Sequence, residues 1–383
     1  MSLHRLALAA ALGLAALPLL TAAAVEKIDV FVAGQDSYNT YRIPAIVRAK
    51  SGALLAFCEG RKSGGGDAGD IDIVLKRSVD GGRTWSGQQV LWNDGTNTCG
   101  NPCPVVDDST GTVWLVLTHN VGSEAESAII RKETKGTRTV WVTHSDDHGV
   151  TWVPPVEITR TTKDPAWGWY ATGPGIGIQI QHGPQAGRLV IPCDHSYDDP
   201  KGNVAKGPYE FGSHTIYSDD HGKSWQLGGL IRPKVNECQV VESGDGRGTI
   251  IMNMRSYFGH NRRTQATSSD GGITWSGPAD VADLIEPVCQ ASIIQHVSGL
   301  LLFSNPPAKT RINLTVKTSA DDGKSWRELV QLHQGPSSYS SLVSLSAAEA
   351  GCLYECGEKR ATEKITFARF ALTEPSAPAG KNP

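Results

Sequence analysis

The sequence has 383 residues, of which 39 are acidic and 36 are basic, so its formal net charge is −3. This balance leaves no general basic surface, which excludes nucleic acids and anionic membranes as principal partners. The length exceeds that of a typical domain, but one large all-β domain can account for it.

The amino terminus has the organisation of a secretory signal peptide. A short basic segment, residues 1–5, precedes an apolar run over residues 6–20 and four small residues at 21–24. A membrane anchor is the alternative, but the run is shorter than the ~20 residues of a spanning helix and contains Pro18. We therefore expect residues 1–24 to be removed, no membrane span to remain, and the mature chain to be secreted or periplasmic.

An octapeptide of the pattern Ser-x-Asp-x-Gly-x-(Thr/Ser)-Trp occurs five times along the chain. Its aspartate can accept backbone N–H groups of a tight turn, its glycine can take a positive φ, and its tryptophan returns apolar surface to the core. Since one active site does not need five identical carboxylates, we interpret the repeats as structural hairpin turns. The copies span residues 78–85, 145–152, 218–225, 268–275 and 319–326.

Short strand-like runs, such as Ile71–Lys76 and Thr139–Thr143, precede these turns, and helical periodicity is weak. Short strands with regularly repeated turns are typical of a β-propeller. The octapeptide resembles the Asp box of sialidase-type propellers. We therefore predict an all-β fold, a six-bladed β-propeller over residues 25–372 in which one blade lacks a box. The Pro- and Ser-containing tail, residues 373–383, is predicted to be disordered.

Further segments are similar, in the same order, to motifs of the exo-α-sialidase (neuraminidase) family. The resemblance covers nearly the whole chain after residue 24. It implies a glycoside hydrolase that releases terminal sialic acid from glycoproteins, gangliosides or other sialylated glycans with retention and without a cofactor. The segments are Tyr41-Arg42-Ile43-Pro44, Asn236-Glu237-Cys238-Gln239, Asn253-Met254-Arg255, Ser304-Asn305-Pro306 with residues 311–315, and residues 335–342.

Sialic acid carries a carboxylate on its anomeric carbon, and arginine offers that group a permanent charge with planar, bidentate donors. By resemblance, Arg42, Arg255 and Arg311 are the family's arginine triad, which clamps the sugar carboxylate. Glu355 resembles the carboxylate that orients the first of these arginines.

Sialidases differ from most glycosidases because their nucleophile is a tyrosine. A carboxylate would approach an anomeric centre that is already anionic, whereas a phenol stays neutral until a base takes its proton. Tyr339 resembles this nucleophile, and Glu237 resembles its general base. A tyrosine with the ordinary pKa of about 10 needs such a base and nearby cations to react near neutral pH.

The acid/base of the family is an aspartate in a glycine-rich loop, usually eleven residues before the serine of the first Asp box. Counting back from Ser78 gives Asp67. Asp70 is the alternative, since it lies closer to the following strand. The expected task of this residue is to protonate the departing oxygen and then to deprotonate water.

Secondary substrate contacts are also predicted from the resemblance. For each of these residues, a packing role is as plausible as direct contact with the sugar. The histidines His182, His195 and His214 show no ligand spacing and are interpreted as structural or surface residues. The predicted contacts are Arg61, Asn101, Trp169, Tyr170, Asp194 and Gln290.

The eight cysteines are too few for a disulfide scaffold in a chain of this length. Several lie in apolar, strand-like segments, where buried free thiols are common. Cys99 and Cys103 could form a local disulfide in an exported protein. Cys352 and Cys356 lie too far apart along one predicted strand to do so. No spacing of Cys or His indicates a metal site.

Two enzymatic alternatives and one non-enzymatic alternative stay open. The first two are transfer of sialic acid to another sugar and hydrolysis of a deaminated sialic acid. The third is a sialic-acid-binding propeller without catalysis. The presence of Tyr339, Glu237 and an aspartate-bearing loop favours an enzyme, because a binding protein can keep the arginines and lose the nucleophile.

Overall fold

The computed structural model describes residues 25–372. The predicted signal peptide and the predicted disordered tail lie outside these residues. Within them, helix is confined to α1 (Glu126–Ile130), α2 (Thr159–Thr162) and a 3-10 turn (Val204–Lys206). None of these described helices is long and apolar enough to cross a bilayer.

The remaining regular structure of residues 25–372 is β-sheet. Several strands, among them the eight-residue strands β3 and β15 in the numbering below, are buried along their whole length because sheets pack on both of their faces. In chain order the strands are β1 (Glu26–Val32), β2 (Thr40–Arg48), β3 (Leu54–Arg61), β4 (Ile71–Ser78), β5 (Gln89–Trp92), β6 (Thr98–Val106), β7 (Val113–Asn120), β8 (Thr139–Ser145), β9 (Val156–Glu157), β10 (Tyr170–Thr172), β11 (Ile178–Gln179), β12 (Leu189–Asp198), β13 (Tyr209–Ser218), β14 (Gln226–Ile231), β15 (Val235–Glu242), β16 (Ile250–Ser256), β17 (Arg262–Ser268), β18 (Ala279–Ile285), β19 (Ser292–Gln295), β20 (Leu301–Asn305), β21 (Thr315–Ser319), β22 (Arg327–Gln331), β23 (Ser337–Ser346), β24 (Glu349–Cys356) and β25 (Lys364–Ala371).

The sheets follow one another around a ring. Most are built from consecutive strands, but one sheet combines β23, β24 and β25 with β1. The pairing of β1 with β25 joins the two ends of the described chain and closes the ring. The strands nearest the axis contact each other in the order β2, β6, β10 to β12, β15, β19, β23 and again β2. This arrangement is a β-propeller, as the sequence predicted.

The predicted division into six separate four-stranded sheets does not match the hydrogen bonding. The described strands form five sheets, of which one has eight strands, β2 to β9. A single parallel pair, Ile71 with Thr98, links β4 to β6 and merges two antiparallel groups into one sheet. The difference arises because these two neighbouring strands approach closely at one end.

The Asp boxes form tight turns held by side chains. In the second box, Asp147 Oδ1 accepts the backbone N–H groups of Val150 and Thr151 at 3.0 and 2.8 Å. Its Oδ2 accepts the Thr151 hydroxyl at 2.6 Å, and Ser145 Oγ accepts the N–H of Gly149 at 2.8 Å. These bonds, first that from the Thr151 hydroxyl, lower the pKa of Asp147. The carboxylate is therefore a structural acceptor.

The second box also packs against β3, in the preceding antiparallel group of strands. Gly149 has a φ of 83°, and a Cβ at this position would lie 2.7 Å from the Leu55 side chain, so the turn requires glycine. The closing Trp152 packs edge-on against Phe57, with ring centroids 5.7 Å apart. This box therefore stabilises contacts between successive parts of the ring.

We expect Asp147→Ala to lower the melting temperature by several degrees without changing turnover per folded molecule. The turn loses the four hydrogen bonds that the Asp147 carboxylate accepts: those of the Ser145 and Thr151 hydroxyls and of the Val150 and Thr151 N–H groups. Asp146→Ala is the matched control, since the adjacent Asp146 is exposed and makes none of the turn bonds. Thermal unfolding and activity normalised to folded protein test this expectation. An inactive but equally stable Asp147→Ala variant would contradict the structural interpretation of the boxes.

Apolar clusters lie between neighbouring groups of strands rather than at one centre. One cluster joins β2 to β4 with β24 and β25, and another joins β6 to β8 with β12 and β13. The eight cysteines are buried in such clusters and are free. The local disulfide that Cys99 and Cys103 could form is not present: both thiols are free, and their side chains belong to different clusters.

Two of the predicted structural histidines form a buried pair, His195 on β12 and His214 on β13. Arg232 donates to His195 Nε2 at 2.9 Å, and the two histidine Nδ1 atoms lie 3.0 Å apart. Because arginine only donates, His195 carries its proton on Nδ1 and donates it to His214. Burial lowers the pKa of both histidines well below the ordinary value.

This pair predicts a stability that falls with acidification. Below the ordinary histidine pKa of about 6.5, the unfolded chain binds two protons that the folded chain excludes. The free energy of unfolding should therefore fall below pH 6.5 by up to about 1.4 kcal/mol per pH unit for each histidine. Urea unfolding between pH 7.5 and pH 5 measures this, and a folded His214→Gln variant should show a shallower slope. An equal slope in both proteins would contradict the assignment.

Candidate active site

Four of the strands nearest the axis carry a β-bulge at the same end. In β2, β6, β15 and β23, the register shifts between positions 42 and 45, 100 and 103, 235 and 238, and 337 and 340. A bulge adds one residue to the strand and redirects nearby side chains. Asn101, Glu237 and Tyr339 lie inside these bulges, and Arg42 lies at the edge of the first. Local backbone irregularity thus aims these four side chains toward the axis.

Two of the bulges use backbone conformations that are rare outside glycine. Ile43 has a φ of 60° and Asn101 a φ of 52°, and each precedes a proline. A positive φ is costly, above all for a β-branched residue. Glu355 accepts the N–H of Ile43 at 2.9 Å, and Glu59 accepts that of Asn101 at 2.8 Å. Buried carboxylates therefore stabilise both conformations.

Arg42 is held by Glu355 of β24. Its Nε and Nη2 atoms donate to the two carboxylate oxygens at 3.0 and 3.2 Å. Glu355 is fully buried and also accepts the N–H of Tyr339 at 3.4 Å. Burial alone would lower the pKa of Arg42, but Glu355 raises it well above the ordinary value. The structure thus brings together Arg42 and the carboxylate that the sequence assigned to orient it.

Arg255, near the end of β16, and Arg311, in the loop before β21, complete a group of three arginines around Tyr339. Arg255 Nη1 lies 2.7 Å from Glu237 Oε2 and 3.5 Å from the Tyr339 hydroxyl. The guanidinium carbons of Arg42 and Arg311 lie 4.8 and 5.6 Å from the Tyr339 ring centroid. Three cations therefore face one small volume, which suits the binding of a carboxylate.

Tyr339 and Glu237 form a directly hydrogen-bonded pair. The Tyr339 hydroxyl donates to Glu237 Oε1, and Tyr339 is only 6% exposed. Burial and then Glu237 raise the pKa of Tyr339 well above its ordinary value, while Arg255 and Arg42 oppose this shift. The phenol is therefore neutral in the free protein, with a proton acceptor already in place.

Asp67, in the glycine-rich loop between β3 and β4, reaches the same pocket. Its Oδ1 lies 2.8 Å from Arg61 Nη1 and 3.6 Å from Arg42 Nη1. Arg61 also donates to the carbonyls of Gly65 and Gly66 at 2.6 and 2.9 Å, which holds the loop. Burial alone would raise the pKa of Asp67, but Arg61 and Arg42 lower it. Asp67 is therefore ionised in the free protein.

The alternative acid/base, Asp70, lies outside this group. Its Oδ1 is 2.9 Å from Lys62 Nζ, which also lies 3.2 Å from Asp72. Asp70 does not line the pocket that contains the arginines, whereas Asp67 does. The geometry therefore favours Asp67 for contact with a bound sugar.

The pocket has a volume of about 210 Å³ and is lined mainly by charged and polar side chains. Four of the predicted secondary contacts lie in its wall: Arg61, Asn101, Trp169 and Asp194. Asp194 is 1% exposed; Asn236 donates to its Oδ1 at 2.8 Å, and its Oδ2 has no partner among residues 25–372. Asp194 thus lies in the pocket wall with one buried oxygen that none of these residues satisfies.

Two predicted contacts do not reach the pocket. Tyr170 is fully buried, and its hydroxyl donates to Cys193 Sγ at 3.4 Å. Gln290 Oε1 accepts the backbone N–H of Ser340 at 3.0 Å, and Gln290 Nε2 donates to the carbonyl of Ser340 at 2.9 Å. The predicted substrate contacts of Tyr170 and Gln290 are therefore corrected to packing roles. Strand alternation turns Tyr170 away from the side of Trp169, and Gln290 joins neighbouring sheets.

The pocket residues that were not predicted as site residues include four with charged or hydroxyl-bearing side chains: Glu59, Glu126, Arg138 and Tyr257. Glu126 lies on α1, and burial, followed by the charge of Asp67, raises its pKa to about 7. Glu126 and Arg138 flank a segment without motif or periodicity, so no local signal marks them. Tyr257 could have been found, because it follows Arg255 by two residues and strand alternation places both on one side.

A family model described as a BNR repeat-like domain matches residues 52–352. A sialidase of Micromonospora viridifaciens is 33% identical over 362 residues, covering 90% of this chain and 53% of that protein. Sialidase-2 of Mus musculus is 31% identical over 385 residues, covering 92% of this chain and 97% of the mouse protein. The chain thus spans about half of the bacterial relative and nearly all of the mouse relative.

A solved structure with a similar fold is that of the Hadza microbial sialidase Hz136. The TM-score is 0.78 at 31% identity, and the match covers 90% of this chain and 68% of that chain. This similarity confirms the predicted all-β, propeller-type architecture.

Proposed function

This chain belongs to the sialidase family, and from that premise we propose that it is an exo-α-sialidase that hydrolyses terminal sialic acid from sialylated glycans. The observation that carries the proposal is the hydrogen-bonded pair of Tyr339 and Glu237 beside three arginines. A neutral phenol with a bonded base suits attack on a carbon that bears a carboxylate. The substrates are the sialylated ends of glycoproteins, gangliosides and oligosaccharides.

Arg42, Arg255 and Arg311 bind the carboxylate of the sugar. Glu355 supports this role because it holds Arg42 at two nitrogens and leaves the third, Nη1, toward the pocket. The clamp fixes the anomeric carbon near the Tyr339 hydroxyl, so that binding orients the reacting atoms.

In the first step, Tyr339 Oη forms a bond to the anomeric carbon while the glycosidic carbon–oxygen bond breaks. Glu237 takes the phenolic proton, and Asp67 gives a proton to the departing oxygen. In the second step, water attacks the same carbon and displaces Tyr339. Asp67 takes the proton of the water, and Glu237 returns its proton to the phenol. Two displacements give net retention.

Asp67 must take up a proton before the first step. In the free protein, Arg61 and Arg42 hold it ionised. When the sugar carboxylate engages Arg42, one cation is neutralised and a negative charge comes close to Asp67. Both changes raise the pKa of Asp67. Substrate binding thus prepares Asp67 to act as the acid.

Release of sialic acid from sialyllactose, followed by proton NMR, tests the activity and its stereochemistry. We expect the α-anomer to appear first. Formation of a new sialoside on an added acceptor other than lactose, such as N-acetyllactosamine, would instead indicate the transferase alternative. Binding of the unsaturated sialic-acid analogue without turnover of any sialoside would indicate the non-catalytic alternative.

We also propose that the eight-stranded sheet represents two blades, so that the ring has six. Each half is antiparallel with four strands and carries its own Asp box, and only the pair of Ile71 and Thr98 links them. We further propose export through the signal peptide at residues 1–24. The mass of the mature protein outside the cytoplasm tests the cleavage.

A further inference from the structure

Arg138 is a buried arginine of the pocket that the mechanism above does not use. It directly precedes β8 and is 1% exposed. Within residues 25–372, its side chain donates only to uncharged oxygens, those of Thr118, Asn120 and Asn101. Buried charges are ordinarily paired with an opposite charge. Arg138 lacks such a pair and lies at the wall of the pocket, which indicates that it has a role in ligand binding there.

The first contact of interest is with Asn101. Arg138 Nη2 donates to Asn101 Oδ1 at 2.5 Å, and since arginine only donates, this atom must be the amide oxygen. The Asn101 Nδ2 group has no acceptor among residues 25–372, and Asn101 lines the pocket. Arg138 therefore fixes the amide with its N–H groups available to a ligand.

The second contact is with Trp169. The guanidinium carbon of Arg138 lies 4.0 Å from the Trp169 ring centroid, a close cation–π distance. Lys163 Nζ donates to the carbonyls of Arg138 and Gly168 at 2.8 and 2.7 Å, which ties the two segments together. Arg138 thus holds one face of the indole, and the ring forms part of the pocket wall.

We propose that Arg138 is a positioning residue that sets the Asn101 amide and the Trp169 ring for contact with the part of the sugar that Arg42, Arg255 and Arg311 do not bind. The inference rests on the proposed function, since it needs a sugar in this pocket. An N–H donor suits a hydroxyl or carbonyl oxygen of a sugar, and an aromatic face suits its C–H groups. Arg138 itself need not touch the substrate.

The test compares Arg138→Met, Asn101→Ala and the double variant. We expect each single variant to raise KM for sialyllactose, and Kd for the unsaturated analogue, about ten-fold or more, with a smaller change in kcat. If Arg138 acts through Asn101, the double variant should bind no more than about three-fold more weakly than Asn101→Ala alone. Arg138→Lys should restore little, because one ammonium cannot make the same fork of hydrogen bonds.

Arg188→Met is the matched control. Arg188 also stacks on an aromatic ring, with its guanidinium carbon 4.1 Å from the Tyr217 centroid, but it lies outside the pocket. This variant should lose stability and keep KM and Kd unchanged. If Arg138→Met behaves like Arg188→Met, or if its effect on Kd adds fully to that of Asn101→Ala, the proposal is overturned.

A second variant covers the case in which Arg138→Met does not fold. Thr118 Oγ1 accepts from Arg138 Nε and Nη2 at 3.0 and 2.8 Å and does not line the pocket. Thr118→Val should loosen Arg138 and raise Kd for the analogue several-fold; an unchanged Kd would overturn the proposal. Wild-type turnover of sialyllactose reports on the proposed function separately, so the two can fail independently.

Discussion

Replacing Tyr339 with phenylalanine should lower kcat for sialyllactose by at least about 10³-fold, because the variant lacks the oxygen that attacks the anomeric carbon in the proposed mechanism. The arginine group is unchanged, and Glu355 still holds Arg42. The unsaturated analogue should therefore bind with a Kd within about ten-fold of the wild-type value. Steady-state kinetics and isothermal calorimetry provide the two measurements.

Tyr217→Phe is the control for this experiment. The Tyr217 hydroxyl lies 3.3 Å from Gln226 on the exposed side of β13, so its loss should leave turnover unchanged. A Tyr339→Phe variant with near-wild-type kcat would eliminate Tyr339 as the nucleophile. Loss of analogue binding together with activity would instead assign Tyr339 to the integrity of the pocket.

Replacing Asp67 with alanine should lower cleavage of sialyllactose by about 10²-fold or more, and cleavage of a methylumbelliferyl sialoside far less. The reason is the leaving group: a sugar alcohol must be protonated as it departs, whereas an aryl alcohol leaves unaided. Asp67 is placed for this task by its contacts with Arg61 and Arg42 at the pocket. The ratio of kcat/KM for the two substrates is the measurement.

Asp70→Ala serves as the matched comparison, because Asp70 lies in the same loop but pairs with Lys62 outside the pocket. Asp70→Ala should lower kcat/KM for both substrates by a similar factor, and by less than Asp67→Ala lowers it for sialyllactose. Circular dichroism must show that both variants are folded. If Asp70→Ala shows the substrate-selective loss and Asp67→Ala does not, the roles of the two aspartates must be exchanged.

The family and the propeller could be predicted from the sequence because their signals are local. An Asp box needs only its own serine, aspartate and glycine to form the turn, as the contacts of Asp147 show. The motifs around Arg42 and Tyr339 likewise sit on single strands, at bulges encoded beside them. Such motifs can be recognised in the sequence without knowing which strands pair with each other.

The packing of side chains between strands could not be predicted in this way. Whether Trp169 or its neighbour Tyr170 faces the pocket depends on the register of a three-residue strand. Cys99 and Cys103 appear close in sequence, but the bulge between them sends their side chains into different clusters. A shift of one residue in strand register therefore decides whether a side chain faces the pocket or the apolar core.

By itself, the sequence determined the repeat, the fold class and the family, since contiguous motifs encode each of them, and the resemblance to that family predicted the reacting groups. Only the tertiary structure decided that Asp67 rather than Asp70 meets the arginines, and that Arg138 lies behind Asn101 and Trp169. Arg138 and Asn101 are 37 residues apart, Asn101 on β6 and Arg138 just before β8, with β7 paired between these two strands. Their contact arises from the pairing and curvature of whole strands, which no short segment of sequence encodes.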